Sequence, residues 1–533
     1  MTPQINPQEL RSRLKSSEEI AVLDVREEGV FFKKHLFIST CVPYSQLEFL
    51  IGDLVPRTTT PIVVVHGGDE DVVLAESAAE RLVALGYQEV VVLQGGVDGW
   101  EKAGGEVFLG LNVQSKAFGE WVEQEFGTPH VSALEFKQWC EGGRPLVNLD
   151  SRTLEEFQRF CIPGGIACPG AELSYRAVEQ IPNPETIVVV NCAGRTRSIV
   201  GAQSLINSGL PNPVYALENG AAGWVLSGLD LQHDSKEIAA PPGSEALETS
   251  KTRAQAIADA LDIHKASPSE VEEWRAEPGR TTLLLDIRTK QEYVAGHWPG
   301  AQLASGGELI QATDSYFAVQ GARLVLCDNT DAVRATITAS WLMQMGFDHV
   351  SILAGNPPNP ETGFPQGTVL GFKTFPHTIT HEELGRKMDA ESAPPIIDLA
   401  NSKAFNVKHI PGSYWGIRSR IGECIDHIAD CSEVVLTSPD GRLAHLTACN
   451  LSQIRSDLRI RVLEGGTDAW ELANMPVASG MQGTLTEVDD LWWHMFDVSL
   501  DRRDKEARDY LDWELQLLEQ LRNEPLAQFR RLL

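Results

Sequence analysis

The chain has 533 residues, enough for about three or four domains at roughly 150 residues each. Hydrophobic residues make up 42% and charged residues 22%, a balance that excludes disorder over most of the length. The formal net charge of −29 excludes nucleic-acid phosphates and anionic lipid surfaces as general partners, because both would be repelled.

From the N-terminus onward, the first twenty residues are polar, carry two prolines and show no apolar core, so no signal peptide is expected. No run approaches the roughly 20 apolar residues of a membrane span. Nine cysteines (41, 140, 161, 168, 192, 327, 424, 431 and 449) are scattered without a CxxC pair. An odd, irregular set argues against a disulfide framework or a zinc site. A reduced, cytoplasmic, multidomain protein without a metal is expected.

Three landmarks then recur four times along the chain. An Asp ends an apolar run in VLDVR (22–26), NLDSR (148–152), LLDIR (284–288) and IIDLA (396–400). A second apolar run leads to a loop whose start is matched at Gly67, Cys192, Cys327 and Thr437. These starts follow the Asp by 43, 42, 41 and 39 positions (24 to 67, 150 to 192, 286 to 327, 398 to 437). The third landmark is LQGGVDGW (93–100), LENGAAGW (217–224), LAGN (353–356) and LEGGTDAW (463–470), closed by a Trp in three of the four units. The chain reads as a tandem array of one domain type, bounded at 1–108, 128–233, 266–360 and 376–480, with a helical tail over 481–533.

Within unit 2, ETIVVVN predicts a buried strand, SIVGAQSLINSGL a helix ending at Gly209, and PVYAL the next strand. Strands alternating with helices predict an α/β fold, a parallel sheet flanked by helices, with functional loops beyond the strands' carboxyl ends. Residues 109–127 and the stretch TSKTRAQAIADALDIH within 234–267 predict helical connectors. In the tail, Tyr510, Glu514, Leu517 and Leu521 share one helix face, with Leu511, Leu515 and Leu518 beside it. That helix is expected to pack on the body or on a sister subunit, which leaves room for a homo-oligomer.

The chemistry concentrates in Asn191-Cys192-Ala193-Gly194-Arg195-Thr196-Arg197-Ser198. A cysteine at a strand end, one short loop before a helix, meets helix-start N–H groups that have no intrahelical partners. These amides, the positive end of the helix and two arginines favour a thiolate over the ordinary thiol, whose pKa is about 8.5. The plain alternative is a buried structural cysteine. Gly194, Arg195 and Arg197 speak against it, because arginine near a buried loop needs an anionic partner. Cysteine-dependent phosphatases use Cys-x5-Arg. Here Arg197 gives Cys-x4-Arg, a smaller loop suited to one extra sulfur atom, which disfavours a phosphatase or arsenate reductase.

The units resemble rhodanese domains, and the whole chain resembles the four-domain bacterial sulfurtransferases of that family. The family pattern stands in unit 3 as Asp286, Arg288, Glu292-Tyr293 and Gly296-His297-Trp298-Pro299-Gly300-Ala301. Unit 2 carries Asp150, Arg152, Glu156-Phe157 and Ile162-Pro163-Gly164-Gly165, and unit 4 carries Asp398 and His409-Ile410-Pro411-Gly412. The resemblance implies that Cys192 is the nucleophile and that Cys192 through Arg197 form the active loop. It implies no cofactor, a small sulfur donor such as thiosulfate, and a thiol or cyanide acceptor. Loop amides would hold a Cys192 persulfide, while Arg195 and Arg197 would bind the donor's oxyanion. A persulfide carrier or partner-binding scaffold, or a 3-mercaptopyruvate sulfurtransferase, is the alternative.

Units 1 and 4, with loops His66-Gly67-Gly68-Asp69-Glu70-Asp71 and Thr437-Ser438-Pro439-Asp440-Gly441-Arg442, lack the cysteine and read as inactive. Cys327 in unit 3 is flanked by Asp328 and Asp331, whose charge disfavours a thiolate, so it too is expected to be inactive. Arg152 is expected to pair with Asp150 rather than bind substrate, as Arg26 and Arg288 would with their own aspartates.

Overall fold

The computed structural model describes residues 2–365, 367–428 and 431–533. Among them are four sheets flanked by helices, one for each sequence unit. In unit 2 the strand order is His130–Val131, Val214–Leu217, Ile187–Asn191, Leu146–Asp150 and Gly165–Ala167, all parallel. The central strands LVNLD and IVVVN are buried at all but their first residue, as a sheet covered on both faces requires. Helix Thr196–Asn207 follows the strand Ile187–Asn191, and Gly209 beyond its end takes φ +74°. The connectors form helices Val113–Phe126 and Ser244–Ala260. No helix among the described residues is long and apolar enough to cross a membrane.

The strand register corrects the match between loops. Asp24 pairs with Val65, Asp150 with Asn191, Asp286 with Cys327 and Asp398 with Thr437. Cys327 is therefore the counterpart of Asn191, still inside its strand, and the positions equivalent to Cys192 are His66, Asp328 and Ser438. The Gly67, Cys327 and Thr437 matches miss by one residue in each case. The misalignment arises because strand pairing, rather than the residue type at the loop start, sets where the loop begins.

The Asp–Arg motif is one device used three times. Arg152 Nε and Nη2 donate to Asp150 at 2.9 and 2.7 Å, and Nη2 also reaches the Phe160 carbonyl at 2.7 Å. Arg26 and Arg288 do the same with Asp24 and Asp286. The closing Trp is a second repeated device. The indoles of Trp100, Trp224 and Trp470 each donate to the carbonyl six residues on, at 3.0, 2.9 and 2.7 Å.

The sheets are less separate than a tandem array suggests. Strand Val319–Gln320 of unit 3 adds antiparallel to Ile20–Asp24 of unit 1, so the unit 1 sheet is completed from outside. One continuous core runs through units 1, 2 and 3, including Leu82, Leu173 and Leu342, whereas Ile397, Leu436 and Val462 of unit 4 belong to their own. Unit 4 is fastened to unit 1 by polar contacts, chiefly the buried Arg418–Glu48 pair at 2.6 Å.

In the tail, helix Leu500–Leu521 buries Ala507, Leu511, Glu514 and Leu517 against the body. Leu515 is instead exposed at 52%, because the helix turns that position to solvent. Before the helix, residues 481–499 form an irregular strap. After it, Arg530 N–H donates to the Gln344 carbonyl of unit 3 at 2.9 Å.

Candidate active site

Cys192 sits one residue beyond the strand Ile187–Asn191 and is only 2% exposed. The loop is tight because the third landmark closes on it from behind. The N–H groups of Ala221 and Ala222 donate to the carbonyls of Cys192 and Ala193 at 2.8 and 2.9 Å. Gly220 (φ +51°) makes this approach possible, since a Cβ there would run into the Cys192 carbonyl oxygen.

The first bond of the following helix runs from Ile199 N–H to the Arg195 carbonyl, so the amides of Thr196, Arg197 and Ser198 precede it and face the loop. Ser198 Oγ donates directly to Cys192 Sγ at 3.1 Å. A thiolate here has a hydroxyl donor, helix-start amides and the adjacent Arg197 guanidinium.

Both arginines have anionic partners within the protein. Arg195 Nε and Nη2 donate to the two Glu120 oxygens at 2.7 and 2.8 Å, Nη2 also binds Glu123, and Nη1 reaches Asn219 at 3.2 Å. The Arg195 guanidinium, which also lines the cavity beside Cys192, is thus paired with helix Val113–Phe126. These bonds tie the loop to the connector. Arg197 makes a bidentate pair with Glu156 at 2.7 and 2.8 Å and a third bond to Glu308 of unit 3 at 2.9 Å. Burial works against the Arg197 charge, but Glu156 and Glu308 outweigh it and hold the pKa well above the ordinary value.

Glu156 is set by its own helix start. It closes a capping box with Thr153, accepting that residue's N–H at 3.1 Å. The same carboxylate then orients Arg197.

The loop opens into a cavity of about 160 Å³ walled by other parts of the chain. Phe32 comes from unit 1, Lys116 from the connector, Gln311 from unit 3, and Trp492, His494 and Tyr510 from the tail. Gly194 faces the tail helix, where an added Cβ would lie 3.3 Å from the Tyr510 ring and 3.4 Å from Glu514 Oε2. Tyr510 Oη donates to Glu514 Oε1 at 2.9 Å, and Lys116 Nζ lies 3.4 Å from the same oxygen. Burial lowers the His494 pKa to about 4, so this imidazole is neutral at physiological pH. Burial, and next the Glu514 charge, hold the Tyr510 phenol well above its ordinary pKa.

Cys192, Ala193, Gly194, Arg195, Thr196 and Arg197 all line this cavity, while Ser198 is reached through its bond to the sulfur. Sequence reasoning missed Lys116, Trp492, His494 and Tyr510, which lie far from the loop in the chain. The one local signal was the Trp492-Trp493-His494 run in a polar tail.

A model of the rhodanese-like domain matches residues 6–103, 132–227 and 267–356, more than half of the chain. The chain belongs to the rhodanese family. Its rhodanese fold extends to unit 4, whose sheet repeats the strand order of unit 2. Across 99% of its length the chain superposes on 99% of a thiosulfate sulfurtransferase from Pseudomonas aeruginosa, with TM-score 0.94 and 38% identity. It is also 26% identical over 121 residues to a putative sulfur carrier protein of Bacillus subtilis, a match over 21% of this rhodanese chain and 64% of that protein.

Proposed function

We propose that the protein is a sulfurtransferase that moves sulfane sulfur from thiosulfate to a thiol or cyanide through a persulfide on Cys192. The observation that carries this reading is the setting of the sulfur: Cys192 Sγ bonded by Ser198 Oγ at 3.1 Å, at a helix start, on the wall of a small cavity. The full-length likeness to a thiosulfate sulfurtransferase supports it.

In the first half-reaction the Cys192 thiolate attacks the outer sulfur of thiosulfate. The donor's S–S bond breaks, its electron pair leaves with sulfite, and Cys192 holds the persulfide anion. The helix-start amides hold that anion, and the donor's sulfonate would sit beside Lys116 and Arg197, which are themselves paired with Glu514 and with Glu156 and Glu308. In the second half-reaction a thiolate or cyanide attacks the outer sulfur, giving an acceptor persulfide or thiocyanate and restoring the Cys192 thiolate. The helix-start amides suit a dianionic donor better than the monoanionic 3-mercaptopyruvate.

The Bacillus subtilis relative, named a putative sulfur carrier, offers the other reading, delivery to a partner protein. The 2% exposure of Cys192 under the tail favours small donors and acceptors instead. Intact-mass spectra after incubation with thiosulfate test the proposal. The wild type and Cys327→Ser should each gain one sulfur atom that cyanide removes, and Cys192→Ser should gain none. A wild type that gains nothing overturns it.

A further inference from the structure

The counterpart of the catalytic loop in unit 4 also opens into a cavity, and this one is much larger. Ser438, Pro439 and Asp440 line a space of about 530 Å³ that is bounded by units 1 and 3 and by the strap before the tail helix. Its volume lies within the usual range of small-molecule sites. Whereas Lys116, Arg195 and Arg197 line the Cys192 cavity beside Glu156, this one is lined mainly by acids: Glu27 and Glu28 from unit 1, Asp314 from unit 3, Asp440 from unit 4 and Asp490 from the strap. The cation on its wall, Arg418, is committed to Glu48 by bonds of 2.6 and 2.8 Å.

Two of these acids are left incomplete by the fold. Asp490, only 9% exposed, accepts the Ser402 N–H through Oδ2 at 2.7 Å, but its buried Oδ1 has no partner among the described residues. Asp314 Oδ1 is buried without a partner in the same sense. Glu27 Oε1 is met by neutral hydroxyls, Ser45 at 2.6 Å and Ser419 at 2.7 Å, and Glu28 Oε1 by the Trp492 N–H at 2.9 Å. Asp440 is exposed and pairs with Arg442, and Arg420 and Lys403 lie near Glu27 and Glu28, so the call for a positively charged occupant comes from the buried, unpartnered oxygens of Asp314 and Asp490. Among the described residues no three acids, histidines or cysteines stand close enough to hold a metal ion. Acids spread over several walls, with Phe31, Phe49 and Trp415 between them, instead match an extended molecule with several cationic groups on an apolar frame.

We propose that this cavity is a binding site for an organic polyamine, separate from the sulfur-transfer site and independent of Cys192. Calorimetric titration with spermidine tests it, at about pH 8 and about 0.15 M salt, where the carboxylates are ionised and surface attraction is screened. The wild type and Cys192→Ser should each bind one spermidine with equal affinity. The double variant Asp314→Asn with Asp490→Asn should bind at least about tenfold more weakly, as the loss of two facing charges requires. Glu272→Gln with Glu273→Gln, an exposed pair, should leave binding unchanged. Should the double variant fail to fold, Asp314→Asn alone should still weaken binding about threefold or more. The proposal is overturned if the wild type shows no saturable binding, if the exposed pair weakens it equally, or if the cavity variants bind as the wild type does.

Discussion

Ser198 and the three residues that replace Cys192 elsewhere show what makes one loop reactive. In unit 3 Asp328 occupies the position of the nucleophile, and its carboxylate accepts the N–H groups of Asn329 and Ala335 at 2.8 and 3.0 Å and pairs with Arg334 at 3.0 Å. That cradle is filled by an anion of its own. Neighbouring Cys327 is buried in the strand, and burial, then Asp286, pushes its thiol well above the ordinary pKa. In unit 2 the corresponding side chain is Cys192, and Ser198 is its side-chain donor. A hydrogen bond to a charged group contributes about 1.5 to 3 kcal/mol, so Ser198→Ala should lower kcat/KM at least about tenfold in a thiosulfate–cyanide assay, with KM little changed.

Glu27 makes a second residue-scale prediction. Burial raises its pKa to about 7, against the contrary pull of Ser45 and Ser419. The folded protein therefore binds more protons than the unfolded chain between about pH 4.5 and 7, and stability falls as pH rises through that window. Glu27→Gln keeps an acceptor for both serines and removes the titration. Thermal melts should show the variant more stable than wild type above pH 7, by on the order of 3 kcal/mol, and equal to it near pH 4.5.

At the scale of elements, the tail is the part that turns a loop into a site. Helix Leu500–Leu521 brings Tyr510 and Glu514 against Gly194, and the strap before it supplies Trp492 and His494. Tyr510→Ala should open the cavity, and the rate of Cys192 alkylation by a bulky maleimide, followed by mass spectrometry, should rise about tenfold. What was legible in the chain follows the range of each interaction. Strand periodicity, the Thr153–Glu156 cap and the Trp-closed turn are local and repeated, so the α/β units and the Cys192 loop could be read directly. The loop register was misread because Cys327 lies inside its strand and Thr437 ends its own, and cross-strand pairing alone distinguishes a strand residue from a loop's first. The carboxylate partners of Arg195 and the tail's share of the cavity depend on contacts between segments tens to hundreds of residues apart. No spacing rule reports them.

For the whole molecule, the four copies of one fold are unequally joined. Units 1 to 3 share a continuous core and unit 3 lends a strand to unit 1, while unit 4 is held to unit 1 by Arg418–Glu48, Ser419–Glu27, neighbouring polar contacts and the packing of Phe49. Removing one member of a buried ion pair strands the other charge. Arg81, 2.8 Å from Glu48, limits the loss. Arg418→Met should therefore weaken this junction by roughly 3 kcal/mol. Calorimetry should show unit 4 melting as a separate, earlier transition, whereas a single unshifted transition would contradict this account of the junction.

The lent strand and the tail also impose an order on biosynthesis. The edge of the unit 1 sheet waits for residues 319 and 320, and the roof over Cys192 waits for Trp492, His494 and Tyr510. At usual elongation rates the nucleophile leaves the ribosome roughly half a minute before its cover. During that interval the thiol is open to any oxidant or electrophile nearby, and a chain that stops short of the tail stays in that state. Translation to the last helix is thus the step that covers Cys192.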